Sequence, residues 1–169
     1  NLTQYAAQNG YLHDPMDVRK GLPHSTGTVD LIYSSHMIEH LDYREGKSFL
    51  MECRRVIKPE TGCMRLIVPD AAILTGGYSD GSISVFDELS GSCADAKTPL
   101  AKLHALLYDN HKAAYDAETL LALLAETGWV GSRVGFRESR YEAGKQILRE
   151  TTDNLPSISL FIEAEPLVS

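Results

Sequence analysis

Residues 29–41, VDLIYSSHMIEHL, decide how this chain is read. Val29, Leu31, Ile32 and Tyr33 form a nearly continuous apolar run with one charge, Asp30, at its mouth. A run of that kind fits a strand buried on both faces, as in a parallel sheet covered by helices. It then gives way to Ser34, Ser35 and His36. In open α/β sheets ligands sit beyond the carboxyl ends of the strands, so residues 34–40 are expected where chemistry is done.

Outward from this edge the pattern repeats. Asp42 is placed to cap a helix over residues 43–57, with Glu45 completing a capping box. Phe49, Leu50, Cys53, Val56 and Ile57 recur at helical spacing. Lys58-Pro59 stops that helix, Glu60-Thr61-Gly62 turns the chain, and CMRLIV (63–68) reads as a second buried strand ended by Pro69-Asp70. Strand, helix and strand in about 40 residues make one right-handed βαβ unit. Upstream, residues 1–10 suggest a short helical end, 11–16 a short strand limited by Pro15, and 17–28 a loop.

Downstream, residues 71–115 are broken by Gly76-Gly77, Gly81 and Gly91 and read as an irregular insertion or lid, with helical spacing at 99–108. Asp116 caps a helix AETLLALLAETG with Leu120, Leu121, Leu123 and Leu124 inward and Gly128 at its C′ position. Residues 129–138 and 158–165 alternate as strands, joined by a polar, partly helical segment over 139–154. These two late strands are expected to pair antiparallel at one edge of a mostly parallel sheet.

The 169 residues suit one domain, and 43% hydrophobic with 23% charged residues is an ordinary globular composition. A net charge of −7 argues against nucleic-acid or anionic-membrane surfaces. Arg54, Arg55 and Lys58 form a basic cluster read as a solvated helix face. Cys53, Cys63 and Cys93 show no CxxC spacing and cannot all pair. Cys53 and Cys63 lie among apolar residues and read as core, so a reducing cytoplasm is expected. No apolar run approaches ~18 residues. The sequence starts at Asn1 rather than Met, and a further N-terminal portion is expected ahead of it.

The order Asp17, Leu22-Pro23, Val29-Asp30-Leu31, His36…Glu39-His40-Leu41 and Arg55-Val56-Ile57-Lys58-Pro59 resembles the core of class I S-adenosylmethionine-dependent methyltransferases of the type 11 group. The segment YDAETLLALLAETGW (115–129) resembles that family's later helix. The resemblance covers residues 11–70 and 108–138. It implies a Rossmann-like α/β fold: a mostly parallel sheet, helices on both faces, an antiparallel last strand, and one domain over 1–169. The strands visible here correspond to the family's third through seventh. Its first strand with the Gly-rich loop, and the acidic residue ending its second strand, find no counterpart in this sequence.

The resemblance further implies S-adenosylmethionine as cofactor. Asp17 would accept from the adenine amino group and Val18 would add backbone and apolar contact, while Ser34 and Ser35 would line the methyl-transfer edge. His36 is the candidate general base, because an unperturbed imidazole titrates near ~6.5; the blander role is to shape the pocket. Glu39 and His40 read chiefly as a structural turn. Asp70, Tyr108 and His111 are candidate substrate contacts, with a helix cap an equal reading for Asp70. The expected acceptor is a small molecule or glycan, methylated on oxygen or nitrogen.

Two other readings belong beside this one. A non-catalytic remnant of the fold would serve as a binding or assembly module, dimerising to complete its sheet. His36-Met37-Ile38-Glu39-His40 also spells HxxEH, a zinc hydrolase motif that requires both histidines on one helix face. No GxGxxG follows a strand, which removes the signal for redox dinucleotide binding.

Overall fold

The computed structural model describes residues 16–82, 98–108, 111–142, 144–145 and 155–168. The expected helical end at 1–10 and nearly all of the short strand at 11–16 fall outside them. In chain order the elements are β1 (Leu31–Ser35), α1 (Tyr43–Val56), β2 (Cys63–Pro69), α2 (Ala71–Asp80), α3 (Pro99–Tyr108), α4 (Ala117–Glu126), β3 (Trp129–Arg133) and β4 (Ser159–Pro166).

The sheet runs β1-β2-β4-β3. β1 and β2 are parallel with Leu31 opposite Cys63 and Ser35 opposite Ile67. β4 is antiparallel to β2, and β3 is antiparallel to β4. Hence β1, β2 and β3 all run one way, and the last strand is inserted against them. The expected antiparallel pair sits at one edge. "Mostly parallel" needs correction at the level of pairing: one of the three ladders is parallel, because β4 lies between β2 and β3.

Local chemistry explains the elements. Asp42 Oδ1 accepts from the amides of Arg44 (2.9 Å) and Glu45 (2.8 Å), while the Asp42 amide donates to Glu45 Oε2 at 3.0 Å, so the capping box is complete. Phe49, Leu50 and Cys53 of α1 and Leu120, Leu123 and Leu124 of α4 pack on Met64, Leu66, Val68, Leu160, Ile162 and Ala164. Both helices therefore cover the same face of the sheet. Trp129 is buried between them and donates its indole N–H to the Leu50 carbonyl at 3.1 Å. Gly62 is required in the α1–β2 turn, since a Cβ there would lie 2.5 Å from Ile57 Cγ1 and 2.7 Å from the Lys58 carbonyl oxygen. Gly128 follows α4 with φ +83, the left-handed conformation expected of it.

The opposite face carries a buried ion pair. Arg65 and Glu163 stand opposite each other on β2 and β4, at 0% and 1% exposure, with Nη1 to Oε1 at 3.1 Å. Arg65 also donates to the carbonyls of Glu138 (2.7 Å) and Gly135 (3.3 Å), and Glu163 Oε2 accepts from the Arg140 amide at 2.8 Å. The polar pair thus straps residues 135–140 across the sheet.

Three expectations shift. Residues 71–80 are a regular helix despite Gly76-Gly77, because Asp70 caps it. β3 ends at Arg133, short of Glu138, where the chain turns to meet Arg65. The basic cluster is not a solvated face. Arg54 donates to the carbonyls of Gly128 and Leu167, Arg55 to Glu52 and to the carbonyls of Leu22 and His24, and Lys58 pairs with Asp30.

Candidate active site

The carboxyl ends of β1 and β2 and the start of β4 meet at one edge, since Pro69 pairs with Ser159. His36 follows β1 directly with φ +48, a conformation uncommon outside glycine. Its amide donates to the Ile67 carbonyl at 2.8 Å, which fixes it to β2. The imidazole lies between two partners: Nε2 is 3.2 Å from Ser159 Oγ, and Nδ1 is 3.4 Å from Glu39 Oε1. Residues 38–40 form a single 3-10 turn, so His36 and His40 do not stack on one helix face as a zinc hydrolase motif would need.

Glu39 is only 2% exposed, and neither carboxylate oxygen makes a hydrogen bond within the protein. Its carbonyl accepts from the amides of Lys112 (2.8 Å) and Ala113 (3.1 Å). Those two bonds draw residues 111–113 onto the turn, so His40 and His111 meet edge to face with centroids 4.8 Å apart. Ser34 is buried with its hydroxyl unbonded, on the same strand face as Ile32, while Ser35 points to the other face.

Asp17 stands at the same edge. It caps the short turn Val18–Lys20, and Arg19 links that turn to Glu45 in the first turn of α1 at 3.6 Å. Both Asp17 oxygens are engaged by Arg19, at 2.7 and 2.8 Å, and this guanidinium holds the carboxyl down to about 2. Val18 packs against the core beside Leu22. From Asp17 the loop descends along α1: the Leu22 amide donates to Glu52 and the Gly27 amide to the Arg55 carbonyl.

Asp70 caps α2. It is 1% exposed, Oδ1 accepts from the amides of Ala72 (3.0 Å) and Ile73 (3.5 Å), and Oδ2 takes Arg133 Nη2 at 3.4 Å. A substrate contact at Asp70 would have to share the carboxylate with these partners. Tyr108 ends α3, and its side chain lies outside what is described; His111 lies beside the β1 turn. Ser159 and the convergence of Glu39 with His111 carried no sequence signal, since both depend on contacts more than 70 positions apart.

Residues 3–64 match the methyltransferase-domain family. That match covers less than half of the chain. The fold of this chain is similar to YcgJ from Bacillus subtilis, at 14% identity and TM-score 0.55, over 99% of this chain and 77% of that one. It is also similar to a SAM-dependent methyltransferase from Archaeoglobus fulgidus, at 16% identity and TM-score 0.56, over 95% and 70%. A third is NcsB1, an O-methyltransferase of neocarzinostatin biosynthesis solved with S-adenosylmethionine and 2-hydroxy-5-methyl naphthoic acid, at 14% identity and TM-score 0.56, over 98% and 38%. The chain thus spans less than two-fifths of NcsB1's length. No curated protein sequence matches it. Among the described residues no helix is long and apolar enough to cross a membrane.

Proposed function

We propose that this chain transfers a methyl group from S-adenosylmethionine to a hydroxyl of a small-molecule or glycan acceptor, with His36 as the base. The observation that carries the reading is the His36 imidazole, fixed at the carboxyl tip of β1 between Ser159 and Glu39. Methyl transfer from a sulfonium is an in-line displacement: the acceptor oxygen gains the methyl, the C–S bond breaks, and the hydroxyl proton must leave. With the ring proton on Nδ1, which faces Glu39 at 3.4 Å, Nε2 is free to exchange its Ser159 contact for the acceptor hydroxyl and take that proton. Asp17 and Val18 at one side of the edge and Ser34 and Ser35 beneath it suit the adenosyl group, once Asp17 shares its carboxylate between Arg19 and adenine.

A cleft of about 600 Å³ is lined by Arg133, Arg137, Glu138, Arg140 and Lys145, and Arg133 reaches Asp70 at the end of β2. Four cations around one carboxylate on a chain of net charge −7 favour an acceptor that carries negative charge. NcsB1, an O-methyltransferase similar in fold, was solved in complex with 2-hydroxy-5-methyl naphthoic acid, a compound of that kind.

Calorimetric titration of the full-length protein with S-adenosylhomocysteine tests the reading. Saturable one-to-one binding is expected, and absence of heat together with absence of a thermal shift would count decisively against it. His36→Asn, which tolerates the left-handed backbone, should leave that binding within about twofold. It should slow transfer by about 10²–10⁴-fold, the usual range for a lost general base.

A further inference from the structure

We infer that Glu39, His40 and His111 form a binding site for one divalent transition-metal ion of the zinc type. Each offers one ligand atom, and these atoms lie within 4.8 Å of one another. Two imidazoles and a carboxylate are the donor set that zinc and its neighbours accept while keeping positions open. Bonds of about 2.0–2.1 Å around such an ion bring ligand atoms to roughly 3.3 Å apart. His40 is exposed and His111 half-buried, so modest side-chain rotation closes the set.

The independent observation is Glu39. A carboxylate 2% exposed with no hydrogen bond to either oxygen is costly, because burial removes water without supplying a donor. The nearest ring nitrogen of His36 lies at 3.4 Å, longer than a good hydrogen bond. A cation between Glu39 and the two histidines would discharge that cost. The backbone is already committed to the geometry, since the Lys112 and Ala113 amides lock the 111–113 segment to the Glu39 carbonyl. His36 then lies behind the carboxylate with Nδ1 facing it at 3.4 Å, the place of the outer-shell partner metal sites commonly show. This trio is distinct from the HxxEH pattern, because His111 replaces His36 as the second imidazole. An ion held here would offer its open positions to an acceptor oxygen. That role rests on the methyltransferase reading, whereas the ion's binding does not.

The test uses the full-length protein stripped with a chelator, titrated with Zn²⁺ by calorimetry and with Co²⁺ by visible absorption. One ion per chain is expected, with d–d bands of low-coordinate cobalt. Glu39→Gln and His111→Ala should each weaken binding at least about tenfold, as even outer-shell losses do, while His104→Ala on α3 should not. His40→Ala, altering an exposed side chain, carries the test if either variant fails to fold by circular dichroism. No stoichiometric uptake, or unchanged affinity in the folded ligand variants, overturns the site. S-adenosylhomocysteine titration of the same samples separates the two ideas: ion binding without nucleoside binding keeps the site and sinks its role in transfer.

Discussion

At the residue scale, two positions are costly to the fold, and the costs differ in kind. His36 sits at φ +48, and such residues persist only where the surroundings over-determine them, at roughly 1–3 kcal/mol each. Its amide bond to Ile67 and its two ring partners supply that determination. Arg65 is costly through desolvation, and Glu163, two carbonyls and the Phe161 ring 5.6 Å from the guanidinium offset it. Arg65→Met is expected to destabilise the fold by roughly 3–5 kcal/mol, because Glu163 is left buried and unpaired. Arg65→Met with Glu163→Leu should recover most of that loss, and chemical denaturation of both variants checks it. A double variant no more stable than the single one would show that the pair holds the 135–140 segment rather than itself. The cysteine reading stands: Cys53 and Cys63 are free and buried, and burial pushes their thiols up to about 12 and about 11, so neither is a nucleophile near neutrality.

At the scale of elements, α1 is the part organised most densely by charge. Its N-terminus is boxed by Asp42 and Glu45, and its C-terminal half clamps the 17–28 loop through Glu52 and Arg55. The Arg55 guanidinium, with the Leu22 amide, holds the Glu52 carboxyl well down, to about 2 from its ordinary 4.5. A depressed folded pKa stabilises above the unfolded value and is lost as pH falls through the folded one. Glu52 therefore contributes fully above about pH 4.5 and loses its contribution between there and pH 2. Glu52→Gln should melt lower than wild type at pH 6, and the gap in Tm should close as pH approaches 2. A gap that stays constant across that range would mean the loop is held by shape alone. Solvent screening keeps the effect modest. α2 shows what one cap can do. Asp70→Ala removes both amide contacts and the Arg133 partner, so a loss of about 1–2 kcal/mol is expected from calorimetric melting.

For the whole molecule, β4 is the member that joins the sheet. It pairs with β2 on one side and β3 on the other, so β3 and α4 reach the βαβ unit largely through it. Deleting residues 158–169 should abolish cooperative unfolding rather than trim an edge. The single tryptophan reports this directly: Trp129 is buried against α1, so its blue-shifted emission should move to the red in the truncated chain. Retained native emission would mean that β3 docks on α1 without the last strand.

The sequence by itself determined the local elements and the edge where chemistry belongs. Apolar runs, helical spacing and the Asp42, Asp116 and Gly128 caps act over a few residues, so β1, α1, β2 and α4 were legible to within a residue or two. The order of residues along the chain puts Ser34 and His36 at the carboxyl end of β1, as the structure has them. Only the tertiary structure decided which partners those residues meet. Arg65 finds Glu163 across 98 positions, His36 finds Ser159 across 123, and Glu39 gathers His111 through backbone bonds from Lys112 and Ala113. Such contacts arise from strand order and the insertion of β4, and neither leaves a periodic trace in the sequence.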